Sequence, residues 1–234
     1  LSTASEFGPN ASIRGGIPVI FPQFSILGPS QRHGFARRTA WTLASTAVDE
    51  KIARARFLLR ADDATRAAWP FEFEAELAVT VGGSQLEEAL TIRNSGAQEF
   101  SFTAALHTYL RVDDIHDVVV EGVGGLTYIE SLTTLEKHTQ PPGAVTFTGP
   151  VDKIFLNAPG ELTVREKGRA LRVEKQGFPD AVVWNPWIEG GASLPDLEPG
   201  GYLHMLCIEP AAISQPITLV PGAAWTGMQR LVEG

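Results

Sequence analysis

Only one of the 234 residues is a cysteine, Cys207, so no disulfide can form within the chain, and a reducing compartment is the simpler setting. Positive charge is short as well, with 19 Lys and Arg against 27 Asp and Glu and a net charge of −8. A phosphate backbone demands a broad basic surface, so nucleic acid is excluded as partner and any anion site must be local. No apolar run approaches the roughly 18–20 residues that span a bilayer, which argues against membrane insertion. Missing too are a Gly-x-Ser-x-Gly elbow, a phosphate-binding P-loop and a Rossmann glycine pattern opening a helix. No secretory signal pattern is visible, and a cytoplasmic protein is expected. Asn10-Ala11-Ser12 fits the glycosylation sequon, a modification out of place in that setting.

Helical periodicity is scarce. One stretch, 62–69, reads as a helix, with Asp62 as N-cap and Pro70 as its end. Strand patterns dominate. Phe71, Phe73, Ala75, Leu77, Val79 and Val81 alternate with Glu72, Glu74, Glu76 and Thr80, the period of a half-buried strand. Similar runs fall at 40–48, 52–60, 86–93, 99–112, 117–121, 160–165, 169–175, 181–184, 202–209 and 216–219. Turn chemistry such as Gly82-Gly83 and Asn94-Ser95-Gly96 separates them, and Gly122-Val123-Gly124-Gly125 reads as a hairpin turn. More than ten short strands with no linker and no repeat predict one all-β domain over residues 1–234, a β-sandwich or barrel.

Arginine, histidine and glycine crowd into Ile13-Arg14-Gly15-Gly16-Ile17-Pro18 and His33-Gly34-Phe35-Ala36-Arg37. Such loops approach a ligand closely, and Arg offers a planar fork of donors to phosphate or carboxylate. The competing reading pairs one or two of these arginines with acidic side chains of neighbouring loops. In 100–112, the period of two puts Phe100, Phe102, Ala104, Leu106, Thr108, Leu110 and Val112 on one face. Ser101, Thr103, Ala105, His107, Tyr109 and Arg111 take the other, so His107 projects beside Tyr109, either toward a ligand or as a structural residue. Glu209 shares parity with Leu203, Met205 and Cys207 and precedes Pro210. It is either a solvated strand end or partly buried, and burial would raise its pKa toward that of a general base. His204 has the opposite parity from Glu209, no tight His-x-His spacing exists, and His116 and His138 read as surface residues in turns, so no metal is expected. Trp184-Asn185-Pro186-Trp187 places two indoles around a turn, either stacked on a sugar or filling the core.

Six segments in order carry a resemblance: Arg14–Pro22, His33–Arg37, Ala105–Tyr109, Val151–Phe155, Val183–Trp187 and Cys207–Ala211. Together they resemble the glucose-6-phosphate 1-epimerase (hexose-6-phosphate mutarotase) family of the galactose-mutarotase-like superfamily, over about residues 1–231. The resemblance implies a β-supersandwich and interconversion of the α and β anomers of a hexose 6-phosphate. It implies that His107 is the general acid and Glu209 the general base, that Arg14 and Arg37 bind the phosphate, and that Asp152 holds sugar hydroxyls. His33 takes a supporting place beside the anomeric oxygen or braces the arginine loop. Acid and base exchange roles on ring closure, so no cofactor is implied, and the chain is expected to be a monomer or weak dimer. Arg32 stands where the family usually has Gln, which strengthens the phosphate grip or shifts sugar preference. The family's additional strands ahead of the Arg-Gly-Gly loop have no counterpart here, and truncation is expected to expose the sheet edge they cover. The rivals are a non-catalytic phosphosugar sensor on the same fold and a mutarotase for unphosphorylated aldoses.

Overall fold

The computed structural model describes residues 1–8, 11, 13–130 and 135–234, so Asn10 and Ser12 of the sequon lie outside the described residues. The first strands are β1 (Val19–Ile20), β2 (Thr42–Val48), β3 (Ile52–Arg60), β4 (Phe73–Gly82), β5 (Gln85–Asn94), β6 (Phe100–Leu106), β7 (Tyr109–Arg111), β8 (Val119–Glu121) and β9 (Thr127–Glu130). The chain continues through β10 (Lys137–Thr139), β11 (Val145–Thr146), β12 (Val151–Phe155), β13 (Glu161–Glu166), β14 (Arg169–Gln176), β15 (Asp180–Asn185), β16 (Met205–Leu219) and β17 (Ala224–Glu233). One sheet runs β1-β6-β16-β15-β12-β9-β10, with β7 also paired to β16. The other runs β11-β8-β13-β14-β17-β5-β4-β3-β2. The all-β sandwich expected from the sequence is the fold observed.

The core lies between the sheets. Phe102, Ala104 and Leu106 of β6 pack with Phe73, Ala75, Leu90 and Ile92 of the second sheet. Leu206 and Ile208 of β16 meet Leu162, Val164 and Val173 in the same way. The alternate residues of the first sheet, among them Ala105, Ala211, Val182 and Ile154, face away from this core and form a separate cluster. The outward glutamates of β4 pair with the arginines of β3, Arg60 with Glu74 at 2.7 Å. β2 closes the second sheet, and each of its seven residues is exposed. Among the described residues no helix is long and apolar enough to cross a membrane.

The helix expected at 62–69 is α1 (Asp63–Ala68), closed by a reciprocal capping box between Asp62 and Thr65, each bond 2.8 Å. Other expectations need correction. The run 99–112 is interrupted at His107 and Thr108, and 201–204 is a 3-10 turn, so β16 begins at Met205. β16 then continues past Pro210 to Leu219, with a register shift between Ala212 and Ile217. Gly122–Gly125 is not a hairpin turn, because β8 and β9 belong to different sheets. His138 lies in β10, exposed, rather than in a turn. β1, β9, β10, β11, β12, β17 and a short helix α2 (Trp187–Ala192) were not legible. In β17 the buried positions include Gly227 and Gln229, which break the apolar alternation. Gly227 is required there, since a Cβ would come within 2.5 Å of the Phe178 ring.

Two buried polar groups affect the stability of the fold in opposite senses. Asp180, fully buried, accepts from the backbone N–H of Asn157, Ile213 and Ser214 and from the Ser214 hydroxyl. Asp180→Ala strands those donors and is expected to cost about 3–5 kcal/mol; an unchanged urea midpoint would refute this account. Glu88, also buried, accepts from Gln229 Nε2 at 3.0 Å, and burial pushes its pKa up to about 7. Between the ordinary value of 4.5 and about 7 the folded state therefore holds a proton the unfolded chain has released, so stability falls as pH rises through that window. Glu88→Gln removes the penalty, and its melting temperature should exceed that of the parent at pH 8 and converge with it near pH 4.5. A constant difference across that range would contradict the assignment.

Candidate active site

Register assembles the centre of the site. Ala211 lies opposite Ala105 and Cys207 opposite Tyr109, so Glu209 falls directly across from His107 where the ladder between β16 and β6–β7 is broken. The Ile208 N–H points to this side, toward the Thr108 carbonyl, and so does the nitrogen of Pro210, which has no hydrogen to donate. Across the break the Thr108 N–H donates back to the Leu106 carbonyl at 2.9 Å, a three-residue turn centred on His107. His107 Nε2 thereby comes within 3.3 Å of Glu209 Oε1. Tyr109 stacks on the imidazole at 4.9 Å and Trp184 meets it edge-on at 5.8 Å.

The glycine-rich loops close over this pair. The His107 N–H donates to the Pro18 carbonyl and the Tyr109 N–H to the Gly16 carbonyl, each at 3.0 Å. Gly34 crosses the backbone of Phe21 so closely that a Cβ would lie 2.1 Å from the Phe21 carbonyl oxygen, and its φ of +67° is one glycine adopts freely. That crossing seats His33, whose Nδ1 accepts from the Ser25 N–H at 3.2 Å, leaving the ring hydrogen on Nε2. The His33 ring lies 5.8 Å from that of His107.

All seven residues singled out in the sequence, Arg14, Arg32, His33, Arg37, His107, Asp152 and Glu209, line one cavity of about 630 Å³. β12 contributes Asp152 on the row that continues through Trp184 and Cys207 to Tyr109. Arg14 is partnered: its Nε and Nη2 reach Asp196 Oδ1 at 3.1 and 2.8 Å, and its Nη1 donates to the Tyr109 hydroxyl at 3.0 Å. The pairing of an arginine with a neighbouring acid is thus found at Arg14. Arg37 Nη2 donates to the Arg32 carbonyl at 3.3 Å, while its Nε is buried without a hydrogen-bond partner. Sequence analysis missed Asp196, Phe24 and Arg38 on the cavity wall. No spacing could have marked Asp196, which lies 182 positions from the Arg14 it holds. The two indoles of the Trp-Asn-Pro-Trp segment part company: Trp184 lines the cavity, whereas Trp187 packs against Tyr202.

Electrostatics single out the same place. Of four buried side-chain polar atoms without a partner among the described residues, three are Arg37 Nε, His107 Nδ1 and Glu209 Oε2. Unsatisfied polar atoms are costly and rare, so their gathering in one cavity points to a ligand site. Burial pushes Glu209 well above the usual carboxylate range, the Asp152 charge adds to this and Arg37 opposes it. Burial lowers His107 to about 3, helped by Arg37, Arg14 and Arg32. His33 falls to about 2 through burial and the same positive surroundings. Asp152 is raised by the surrounding protein, while Arg32 pulls it down and Glu130 pushes it up. Both shifts favour the arrangement in which the pair's proton sits on the carboxyl rather than on the imidazole. Donor atoms of His107, Cys207 and Glu209 lie within 4.8 Å of one another. Burial keeps the Cys207 thiol protonated, so it joins Met205 and Leu197 as part of the apolar floor.

A two-sheet sandwich with a buried histidine–glutamate contact on a cavity of one face is shared, in sequence and fold, with enzymes that act on sugar rings. The chain matches the aldose 1-epimerase family over residues 5–231. A protein of Cenchrus ciliaris, provisionally named a glucose-6-phosphate 1-epimerase, is 39% identical over 97% of this chain and 72% of its own length. One of Escherichia coli K12 under the same provisional name is 31% identical over 92% of this chain and 72% of its own. The crystal structure of a Salmonella typhimurium protein provisionally described as a mutarotase, YeaD, superposes with a TM-score of 0.92 at 27% identity, covering 100% of this chain and 79% of that one. The chain belongs to the aldose 1-epimerase family.

Proposed function

We propose that the protein interconverts the α and β anomers of hexose 6-phosphates, chiefly glucose 6-phosphate, with Glu209 and His107 as the acid–base pair. The observation that carries this is the 3.3 Å contact of His107 Nε2 with Glu209 Oε1 on a cavity that also holds Arg14, Arg32 and Arg37. In ring opening the Glu209 carboxylate takes the O1 proton, the C1–O5 bond breaks with its electron pair on O5, and His107 gives O5 a proton. Turning about C1–C2 and closing from the other face reverses both transfers. Carboxylate with imidazolium, and carboxylic acid with imidazole, contain the same single proton, so the pair is never consumed. Burial favours the neutral form, which is the form left after opening. A phosphate dianion against Arg37, Arg32 and Arg14 offsets the positive field that disfavours the His107 imidazolium. Asp152 and the His33 Nε2–H supply contacts to sugar hydroxyls.

The lone buried cysteine fits work in the cytoplasm, with residues 1–234 acting as one domain, as a monomer or weak dimer. NMR exchange spectroscopy on glucose 6-phosphate at equilibrium tests the function directly. Strong α/β cross-peaks in the presence of protein, much weaker with glucose, are expected. Binding of the sugar phosphate with no acceleration would replace the enzyme by a sensor, and equal rates for glucose would remove the phosphate from the substrate.

A further inference from the structure

The His107 imidazole lacks the usual device for fixing a catalytic histidine, a hydrogen bond from its second nitrogen, because Nδ1 is buried without a partner. Its orientation must come from ring packing and from the backbone turn that carries it. That turn is tied from the core side by a chain of buried polar groups. Thr108 Oγ1 donates to Gln229 Oε1 at 2.8 Å, and Gln229 Nε2 donates to Glu88 Oε2 at 3.0 Å. Thr108 and Gln229 are fully buried, and Glu88 is 8% exposed. Gln229 and Glu88 sit on β17 and β5 of the second sheet, so the chain crosses the sandwich to reach the break in the first. The direction follows from chemistry. The Gln229 amide nitrogen donates to Glu88 and its oxygen takes the threonine hydrogen, an arrangement that an ionised Glu88 requires and that a protonated one still accepts through its carbonyl oxygen. Apolar side chains of similar shape would fill this space without desolvating three polar groups.

We propose that Thr108 and Gln229 are positioning residues for the acid–base pair, holding the turn so that His107 stays in reach of Glu209. The kinetic consequence rests on the mutarotase function proposed above, whereas the geometric one does not. Anomer exchange on glucose 6-phosphate and histidine ¹³Cε1–¹H spectra are compared for the parent, Thr108→Val, Thr108→Ser and Gln229→Met. Thr108→Val and Gln229→Met should each lower kcat by about 10²-fold with KM within about twofold, and their combination should be no slower than either alone. Thr108→Ser, which keeps the hydroxyl, should restore kcat. The His107 signal, assigned by its loss in His107→Ala, should shift or broaden in Thr108→Val and return in Thr108→Ser. Parent-like kcat and an unmoved His107 signal in Thr108→Val or Gln229→Met, even with a lowered melting temperature, would overturn the proposal. Gln229→Met keeps the side-chain length and carries the test if Thr108→Val does not fold. If the parent itself fails to accelerate exchange, the mutarotase function falls, and the histidine signals alone decide the positioning role.

Discussion

Glu209→Gln and His107→Ala should each slow anomer exchange on glucose 6-phosphate by about 10²–10⁴-fold while the protein stays folded. The glutamine substitution is the cleaner of the two. Glu209 is almost fully buried and burial favours its neutral carboxyl, so an amide of the same shape is a close substitute. Stability near neutral pH should therefore hold, and the loss of turnover can be assigned to the missing proton relay. His107→Ala removes a ring packed between Tyr109 and Trp184, so some loss of melting temperature accompanies the loss of rate. Because the two residues share one proton, the double variant should be little slower than either single one. Exchange spectroscopy on all three measures this. Turnover near that of the parent in Glu209→Gln or in His107→Ala would remove the pair from the mechanism.

The side of the 100–112 run on which His107 projects was legible because a period of two needs no knowledge of the partner strand. Parity likewise placed Glu209 with Cys207. What parity could not supply was burial, since Glu209 before Pro210 reads equally well as a frayed strand end. The structure resolves this through pairing: the proline nitrogen lies opposite the break at His107, so the strand continues and the carboxylate stays inside. β12 escaped notice for a related reason. Its centre, Asp152-Lys153, breaks the apolar pattern because Asp152 belongs to the cavity. In β17 the inward Gln229 had the same effect, serving the polar chain to Thr108. Where the apolar pattern failed at these two strands, a polar side chain was tied to the site. The Arg14–Asp196 pair shows the other limit, a contact made only by the closed fold.

Arg37→Ala is expected to lower kcat/KM for glucose 6-phosphate by about ten- to a hundredfold, the worth of one charge-assisted bond of about 1.5–3 kcal/mol. Free glucose should be turned over little differently. Arg37 is the sharper probe of the phosphate site because of its surroundings. Its buried Nε has no partner, and burial with the nearby Arg38 charge lowers its pKa, so the cation sits in an unfavourable field until an anion reaches it. Arg14 differs, since Asp196 and the Tyr109 hydroxyl already hold its guanidinium. Removing Arg14 also frees the ring stacked on His107, and its effect would mix phosphate binding with acid placement. A second readout separates the roles of Arg37. It is the largest charge holding the His107 imidazole at about 3, so in the free protein the histidine titration should move upward in Arg37→Ala. Loss of phosphate preference together with that upward movement would tie anion binding and acid strength to one side chain. An unchanged preference in a folded Arg37→Ala protein would instead move the phosphate toward Arg32 and Arg14, which line the same cavity.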